Sequence, residues 1–326
     1  RSHEGIAGFA GLQTCGSVWA CPCCGGKILT HRALEIGAVL GQAVTEGRAL
    51  GFFTLTMRHR KAQPLDLLWA AGQKGWRRAI SGKGWVSQSG AHGVEGWVRV
   101  WEVTDGSNGW HVHVHGVVVL RPGAKSADLD DVCSGMFDRW RRGLLAAGLD
   151  APLERGQEWH LVRGDDACDD LAGYLFKIAE GEVPPAVGLG LELTHSLPGR
   201  SRAALATRPV SAILDDLVRD GERRSLDRWH EWERVSKGKR QVGFSKGLRE
   251  RFAGFVDELS DDEVADLEHG SREDDLVHLD RDGWRQVVGT DGLAVSILEA
   301  AEKSGVAGVS ALLDQEHVPY QLARRR

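Results

Sequence analysis

The sequence lacks any run of about eighteen consecutive apolar residues, the length at which a helix becomes a candidate membrane span. Its first five residues, Arg1 to Gly5, contain no apolar leader segment. Six cysteines among 326 residues are too few for a disulfide scaffold. We therefore expect a core-forming cytoplasmic protein that makes no membrane contact.

Neither sign of charge dominates the chain, because 41 basic and 46 acidic residues give a formal net charge of -5. The distribution is uneven. Residues 200–251 contain fourteen Lys and Arg against eight Asp and Glu, whereas residues 257–326 contain seven against seventeen. A basic stretch can contact phosphates, although such runs are more often a solvated face. Net charge alone does not decide whether the chain binds nucleic acid.

The hydrophobic pattern predicts an α+β fold whose sheet is mainly antiparallel. Two strand-like runs, 94–104 and 110–120, flank the turn-forming residues 105–109 (Asp-Gly-Ser-Asn-Gly), which predicts a hairpin. Further strands are predicted at 47–58 and 159–163. Helices are predicted at 27–46, 64–80, 127–147, 165–180, 210–219 and 226–237.

The second strand of this hairpin alternates histidine with valine. Alternation puts His111, His113 and His115 on one face of the sheet. Imidazoles among apolar residues are costly to bury without a shared partner, and a divalent cation is the simplest one. In the predicted register Glu102 lies opposite His113 and can join them. Two alternatives stay open: a solvent-facing strand that happens to use histidine, and a one-residue register slip that removes Glu102.

A second polar group lies in the predicted helix at 165–180. Asp170, Tyr174 and Lys177 share one helix face because they are spaced four and three residues apart. A tyrosine hydroxyl with its ordinary pKa of about 10 is a poor nucleophile, but a neighbouring ammonium or a metal-bound phosphate would help it attack. Taken alone, the spacing also fits a surface helix without a catalytic role.

Together these features resemble the HUH endonucleases, and within them the rolling-circle replication initiators of Gram-positive and actinobacterial plasmids. The likeness covers about residues 15–250, and three stretches match the family motifs in order. The first is a strand around a Thr-Leu-Thr core, the second ends in two metal-binding histidines, and the third contains the attacking tyrosine. They are 53–59 (F-T-L-T-M-R-H), 109–115 (G-W-H-V-H-V-H) and 174–177 (Y-L-F-K).

The resemblance implies an HUH-type palm, in which helices flank a central antiparallel sheet. It implies His113 and His115 as ligands of a catalytic Mg2+ or Mn2+ ion. The strand pattern adds Glu102 and His111 as further candidates. Tyr174 would attack a phosphate of single-stranded origin DNA, leaving a 5′-phosphotyrosyl link and a free 3′-hydroxyl.

Two further roles follow from the third motif. Lys177 would balance charge near Tyr174 or the phosphate. Some family members place a glutamate four residues before the tyrosine to activate a water, and here that position holds Asp170, which is one methylene shorter.

The predicted parts of the chain follow from these assignments. We expect a Cys-rich, zinc-binding segment with its leading helix, an HUH nicking domain, a linker with basic helices that contact DNA, and an acidic helical C-terminal region. Their ranges are 1–46, 47–181, 182–252 and 253–326.

Four cysteines crowd into residues 15–24, where Cys15, Cys21 and Cys24 form a C-x5-C-x2-C pattern that contains Cys23. A structural zinc ion usually takes four protein ligands. The pattern therefore predicts a zinc site completed by Cys23 or by His3 or His31, and plain thiols are the alternative.

Candidate DNA contacts come from the first two motifs and the basic stretch, since cations can bind phosphates and an aromatic ring can stack on a base. They are Arg58, His59, Trp110, Arg200, Arg202, Lys237, Lys239 and Arg240. The expected partner is plasmid origin DNA, single-stranded or extruded as a hairpin, with a host helicase and DNA polymerase; a homodimer is possible.

Three other functions use part of the same pattern. An HUH relaxase or transposase would use the same chemistry. A metal hydrolase could use H-x-H on a strand but needs no Y-x-x-K helix. A non-catalytic zinc-dependent DNA-binding regulator would need only the cysteines and the basic stretch.

Overall fold

The computed structural model describes residues 2–3, 6–162, 207–254, 259–267 and 271–323. Its strands are β1 (Ser2–His3), β2 (Ile6–Ala7), β3 (Ala49–Thr56), β4 (Val94–Gly106), β5 (Gly109–Leu120), β6 (Glu158–Val162), β7 (Thr207–Pro209), β8 (Val242–Phe244), β9 (Val277–His278) and β10 (Gln321–Leu322). Its helices are α1 (Pro22–Thr45), α2 (Leu65–Ala79), α3 (Gly82–Ala91), α4 (Ser126–Leu145), α5 (Ala212–Asp220), α6 (Arg223–Ser236), α7 (Leu248–Ala253), α8 (Asp261–Asp266), α9 (Arg281–Gly289) and α10 (Leu293–Gln315).

The chain forms two compact units, residues 15–265 and residues 1–14 with 266–326. The larger unit contains a six-stranded sheet in the order β6-β3-β5-β4-β7, with β8 also paired to β4. Each of these pairings is antiparallel. The prediction of a mixed fold with an antiparallel sheet and flanking helices is confirmed.

The hairpin of β4 and β5 is the longest pairing in the sheet. Its turn is closed by the pair Gly106 and Gly109, with Ser107 and Asn108 between them. Gly109 has φ +86°, a conformation that side chains disfavour, so glycine here suits the tight turn. The predicted hairpin and its turn are confirmed.

One face of the sheet packs against α2 and α4. Val112, Val114 and Val118 of β5 point into this core and are fully buried. The two helices approach closely where Gly143 faces Gly75, because a Cβ at Gly143 would lie 2.6 Å from the Gly75 Cα atom. This face is therefore filled with apolar side chains along the whole of β5.

Among the described residues, apolar side chains cover only part of the opposite face. Apolar residues of α1 and α7, such as Val39 and Phe252, pack on Val117 and Val119 of β5. The half of the same face nearer the β4–β5 turn carries the histidines, whose side chains are only half-buried. The apolar cover on this face therefore ends where the polar residues begin.

Helix α1 begins five residues earlier than predicted. Cys21 is its N-cap, and its sulfur accepts a hydrogen bond from the backbone N–H of Cys24. Pro22 occupies the first helical position, where its missing N–H has no cost. Cys21 and Pro22 do not contribute to the apolar periodicity of the helix. The periodicity alone therefore predicted that the helix begins at Lys27.

The smaller unit has its own apolar core. Val287 of α9 packs with Ile297 and Leu313 of α10, and Phe9 makes an edge contact with Trp284 at 4.9 Å between ring centroids. Strand pairs β1–β2 and β9–β10 belong to this unit. Across the described residues of both units, no helix combines the length and apolarity that a bilayer span requires.

Candidate active site

The β4–β5 register places Glu102 directly opposite His113, as predicted. The Glu102 Oε2 atom lies 2.8 Å from His113 Nε2 and 3.7 Å from His115 Nε2. One donor atom from each of the three residues lies within 4.8 Å of the other two. Glu102 is 5% exposed and the two histidines are half-buried. The three side chains form a compact, largely buried group.

The donor atoms of this group fit a single divalent cation. Two ligands bound at about 2.1 Å each cannot be more than about 4.2 Å apart, and both distances from Glu102 are shorter than that limit. Imidazole nitrogen favours later transition metals and carboxylate oxygen favours Mg2+ and Mn2+. A set of two histidines and one glutamate therefore suits Mn2+ better than Mg2+.

His111 is on the same face but outside this group. Its Nδ1 atom lies 3.0 Å from His59 Nε2, and His59 Nδ1 lies 3.1 Å from the backbone oxygen of Asn108. Burial, together with the neighbouring histidines His113 and His59, lowers the pKa of His111 to about 4. Burial also lowers the pKa of His59. The structure therefore brings His111 to His59 rather than into the group with Glu102.

The Thr-Leu-Thr core of the first motif lies beside the site. In the β3–β5 register, Thr54 is opposite His115 and Thr56 is opposite His113. The Thr56 hydroxyl donates to the backbone oxygen of Gly156 at 3.0 Å and accepts from Gln157 Nε2 at 3.1 Å. These contacts join β3 to the segment that leads into β6.

Helix α6 contacts the hairpin next to its turn, and the sequence reasoning missed this contact. Glu231 Oε1 accepts from the backbone N–H of Leu65 at 2.7 Å, and its Oε2 accepts from the indole Nε1 of Trp110 at 2.8 Å. The guanidinium carbon of Arg228 lies 3.8 Å from the Trp110 ring centroid. Arg228 also donates to Asp105 at 2.8 and 3.2 Å. The i,i+3 spacing of Arg228 and Glu231 was one available signal.

The prediction that Trp110 stacks on a base is wrong for this structure. Trp110 is 0% exposed and packs beside Trp232, with 6.0 Å between ring centroids. Strand alternation puts it on the face opposite His111, in the core with α2. Its ring therefore stabilises the hairpin and has no surface for a nucleotide.

The other predicted DNA contacts differ in their surroundings. Arg58, Lys237 and Arg240 are exposed. The Lys239 amino group lies 5.6 Å from the Trp69 ring centroid. Both ring nitrogens of His59 have partners within the protein. His59 is therefore a less suitable phosphate contact than the three exposed cations.

The third motif lies outside the described residues. The candidate nucleophile and the two residues predicted to act with it are therefore not described, and neither are two of the predicted DNA contacts. They are Asp170, Tyr174, Lys177, Arg200 and Arg202.

The cysteine cluster forms a second group of metal-ligand type. The sulfurs of Cys15, Cys21 and Cys24 lie within 4.8 Å of one another, and Cys23 is exposed and outside this group. Burial opposes ionisation of Cys21, but the Cys24 N–H and neighbouring thiols lower its pKa overall. A backbone hydrogen bond with Ser17 favours the Cys15 thiolate, yet burial and the other two thiols raise its pKa overall. Neighbouring thiols at this distance lose their protons most readily when a cation such as Zn2+ binds the thiolates.

Trp19 connects the Cys segment to helix α6 and to the core beneath the sheet. Trp19 Nε1 donates to the backbone oxygen of Lys239 at 2.6 Å, and Trp232 Nε1 donates to the backbone oxygen of Trp19 at 3.3 Å. The Trp19 ring also makes edge contacts with Trp69 and Trp232. The cysteines are thus connected to the same helix that holds Trp110.

The sequence is similar to two curated Streptomyces proteins. Its alignment with "Protein rep" of Streptomyces lividans shows 25% identity over 300 residues. This alignment covers 77% of this chain and 66% of that protein. The sequence is 29% identical over 178 residues to "Neomycin resistance protein" of Streptomyces cyanogenus, which covers 44% of this chain and 41% of that protein. The chain thus spans less than two thirds of the length of either relative.

No protein-family model matches the sequence. No solved structure matches it either.

Proposed function

We propose that this chain is a plasmid rolling-circle replication initiator that nicks single-stranded origin DNA by tyrosine transesterification. The observation that carries the proposal is the group of Glu102, His113 and His115 on one face of the sheet, next to the Thr-Leu-Thr strand. The similarity to "Protein rep" supports the same assignment. An HUH-type palm is the fold proposed for the sheet and its helices.

The chemistry begins with the hydroxyl of Tyr174. Its oxygen attacks the phosphorus and the bond to the 3′-oxygen breaks, so the product is a 5′-phosphotyrosyl link and a free 3′-hydroxyl. The tyrosine proton leaves to a base and the 3′-oxygen takes up a proton from solvent. Lys177 balances the negative charge beside Tyr174. Because the phosphotyrosyl bond replaces a phosphodiester, a second attack can release or rejoin the strand without ATP.

Glu102, His113 and His115 would hold a divalent cation, Mn2+ or Mg2+, which polarises the scissile phosphate when bound. His113 and Glu102 are fixed by adjacent antiparallel strands, so their separation depends on sheet register. Exposed cations such as Arg58, Lys237 and Arg240 would contribute phosphate contacts without reading sequence. Host helicase and polymerase are proposed to follow at the free 3′-hydroxyl.

The test is incubation of the full chain with labelled single-stranded oligonucleotides and Mn2+, followed by denaturing gel electrophoresis. The panel should cover candidate origin sequences. We expect a labelled band at the size of a covalent protein–DNA adduct, which disappears with EDTA. Binding in a native gel with no adduct for any oligonucleotide would contradict the proposal and favour the non-catalytic regulator. Strand joining between two oligonucleotides with no preference for an origin would favour a relaxase or transposase.

A further inference from the structure

A cavity lies at the end of the β4–β5 hairpin, beside its turn. Its volume is about 520 Å³, and its walls come from the turn, from β7, from α5 and from the first half of α6. Lys61, on the loop after β3, also lines it. Among the described residues of the wall, Ile213 is the one large apolar side chain and none is aromatic. The cavity therefore suits an ionic group better than a base or an apolar molecule.

Most charges in this wall are already paired. Three aspartates and three arginines form a continuous chain of ion pairs with N–O distances from 2.5 to 3.2 Å. In order along the chain of pairs they are Arg228, Asp105, Arg208, Asp216, Arg219 and Asp220. These six charges balance one another and fix the shape of the wall.

Three charged residues of the wall remain, the cations Lys61 and Arg224 and the carboxylate Glu222. Lys61 and Arg224 are exposed. Neither side chain has an ion-pair or hydrogen-bond partner in the part of the chain that the structure describes. With five basic against four acidic side chains, the cavity has an excess of positive charge and two cations that can bind an anion.

The loop that carries Lys61 connects this cavity to the candidate metal ligands. Strand β3 ends at Thr56, directly opposite His113, and Lys61 follows five residues later. The loop is packed on the hairpin turn, because a Cβ at Gly109 would lie 2.9 Å from the Lys61 backbone oxygen. Gly109 also lines the cavity, and it precedes His113 by four residues, about 13 Å along β5. Phosphates of one DNA strand are spaced by about 3.4 Å along a duplex axis and further when extended, so about four nucleotides or fewer span this distance.

We propose that this cavity is a phosphate subsite for the DNA strand on one side of the scissile phosphate, with Lys61 and Arg224 as its cations. The inference rests on the proposed function, in which that strand is the substrate. Because the wall offers charge and no aromatic surface, the subsite binds the DNA backbone and reads no base. Inorganic phosphate and a free nucleotide carry the same chemical group, so the measurements below separate these sources from the strand.

Four variants test the subsite. Lys61→Gln and Arg224→Gln each remove one positive charge from an exposed side chain, so both should keep the wild-type melting temperature. Lys61→Arg keeps the charge. Arg223→Gln is the matched control, because Arg223 is also exposed and precedes Arg224 on α6, but it lies outside the cavity wall and pairs with Asp227 at 3.3 Å.

The first measurement is the fluorescence anisotropy of a labelled single-stranded oligonucleotide at several salt concentrations, without added Mn2+ or Mg2+ so that no strand is cut. Lys61→Gln and Arg224→Gln should each bind more weakly than wild type, and the slope of log Kd against log salt concentration should fall by about 0.7 in each. The loss should be equal for a scrambled oligonucleotide, and Lys61→Arg and Arg223→Gln should match wild type. Wild-type affinity and slope in either glutamine variant, or a loss confined to one sequence, would overturn the inference.

The second measurement is calorimetry with inorganic phosphate and with a deoxynucleoside monophosphate. Wild type and Arg224→Gln should not differ, because the subsite holds its phosphate as part of a strand. Phosphate binding that Arg224→Gln loses, together with unchanged DNA affinity, would assign the cavity to a free anion and overturn the inference.

The covalent adduct separates this inference from the proposed function. An adduct formed by wild type, with wild-type DNA affinity in both glutamine variants, would retain the nicking chemistry and remove the subsite. DNA binding that depends on Lys61 and Arg224, with no adduct for any oligonucleotide, would retain the subsite and contradict the nicking chemistry. Absence of any DNA binding by wild type would contradict both.

Discussion

Glu231 accepts the indole hydrogen of Trp110 at 2.8 Å and so ties helix α6 to the strand that carries the histidines. Its second oxygen accepts from the Leu65 N–H, one of the N–H groups at the start of α2 that lack helical partners. One carboxylate thus joins three elements that are distant in sequence. Because Trp110 precedes His111, this contact fixes the end of β5 at which the site lies.

The first prediction follows from this carboxylate. Glu231→Ala leaves the Trp110 and Leu65 donors without acceptors, so the free energy of unfolding should fall by about 2 kcal/mol or more. Chemical denaturation measures it. Glu233→Ala is the matched control on the same helix, because Glu233 is exposed and its loss should cost under about 0.5 kcal/mol. Equal losses for the two variants would show that the Glu231 contacts contribute nothing specific.

The second prediction concerns the three candidate metal ligands, Glu102, His113 and His115. Glu102→Gln removes the charged ligand but keeps its shape, so the affinity for Mn2+ should fall at least about tenfold in calorimetry. His113→Ala with His115→Ala should abolish binding. Glu158→Gln is the control, because Glu158 is exposed on β6, opposite Thr54 of the same sheet face. Wild type should bind Mn2+ more tightly than Mg2+, since two of the three donors are imidazoles. A preference for Mg2+ would contradict this donor set.

The third prediction concerns the nucleophile. Tyr174→Phe removes one hydroxyl, so binding to single-stranded DNA should persist while the covalent adduct disappears. Tyr320→Phe is the control, since Tyr320 is the other of the two tyrosines in the chain. Adduct formation by Tyr174→Phe at the wild-type rate would transfer the role to another residue.

The local sequence pattern predicted the hairpin and the grouping of Glu102 with His113 and His115. Strand alternation put the histidines on one face, and the turn residues set the register that brings Glu102 to His113. The same alternation places Trp110 on the opposite face, so its burial could have been predicted as well. What the pattern could not give is the partner of each histidine, because His59 lies on a loop whose position depends on the fold.

Elements without an apolar stripe were also missed. Helix α3 has no fully buried side chain, so it leaves little periodic signal in the sequence. The contact of Glu231 with Leu65 joins residues 166 positions apart and follows no period. Such contacts depend on tertiary packing, and the spacing of residues along a single sequence does not reveal them.

The fourth prediction concerns zinc. The purified protein should contain about one zinc ion per chain, and Cys21→Ser should lose it. Serine can still cap α1, so a fall in thermal stability would report the metal rather than the cap. Elemental analysis and thermal unfolding are the measurements. Cys23→Ser should retain zinc, because Cys23 lies outside the three-sulfur group. Zinc loss in Cys23→Ser would identify Cys23 as the fourth ligand. A wild-type protein without zinc would show that the cluster consists of free thiols.

The last prediction concerns Asp170, where this chain has an aspartate four residues before the tyrosine and some HUH initiators have a glutamate. On the predicted helix its carboxylate would lie one turn from Tyr174, near enough to activate a water against the phosphotyrosyl bond. Asp170→Ala should leave the first nick intact and slow the release of protein from its DNA adduct, followed by quenched time points on a denaturing gel. Asp170→Glu should preserve or accelerate release, because the longer side chain reaches further toward the bond. Asp169→Ala is the matched control, since on the predicted helix the Asp169 carboxylate would lie off the face shared by Asp170 and Tyr174. An acidic residue near a helix start is also stabilised by the helix dipole. Equal release rates for wild type and Asp170→Ala would therefore assign Asp170 to the helix terminus alone.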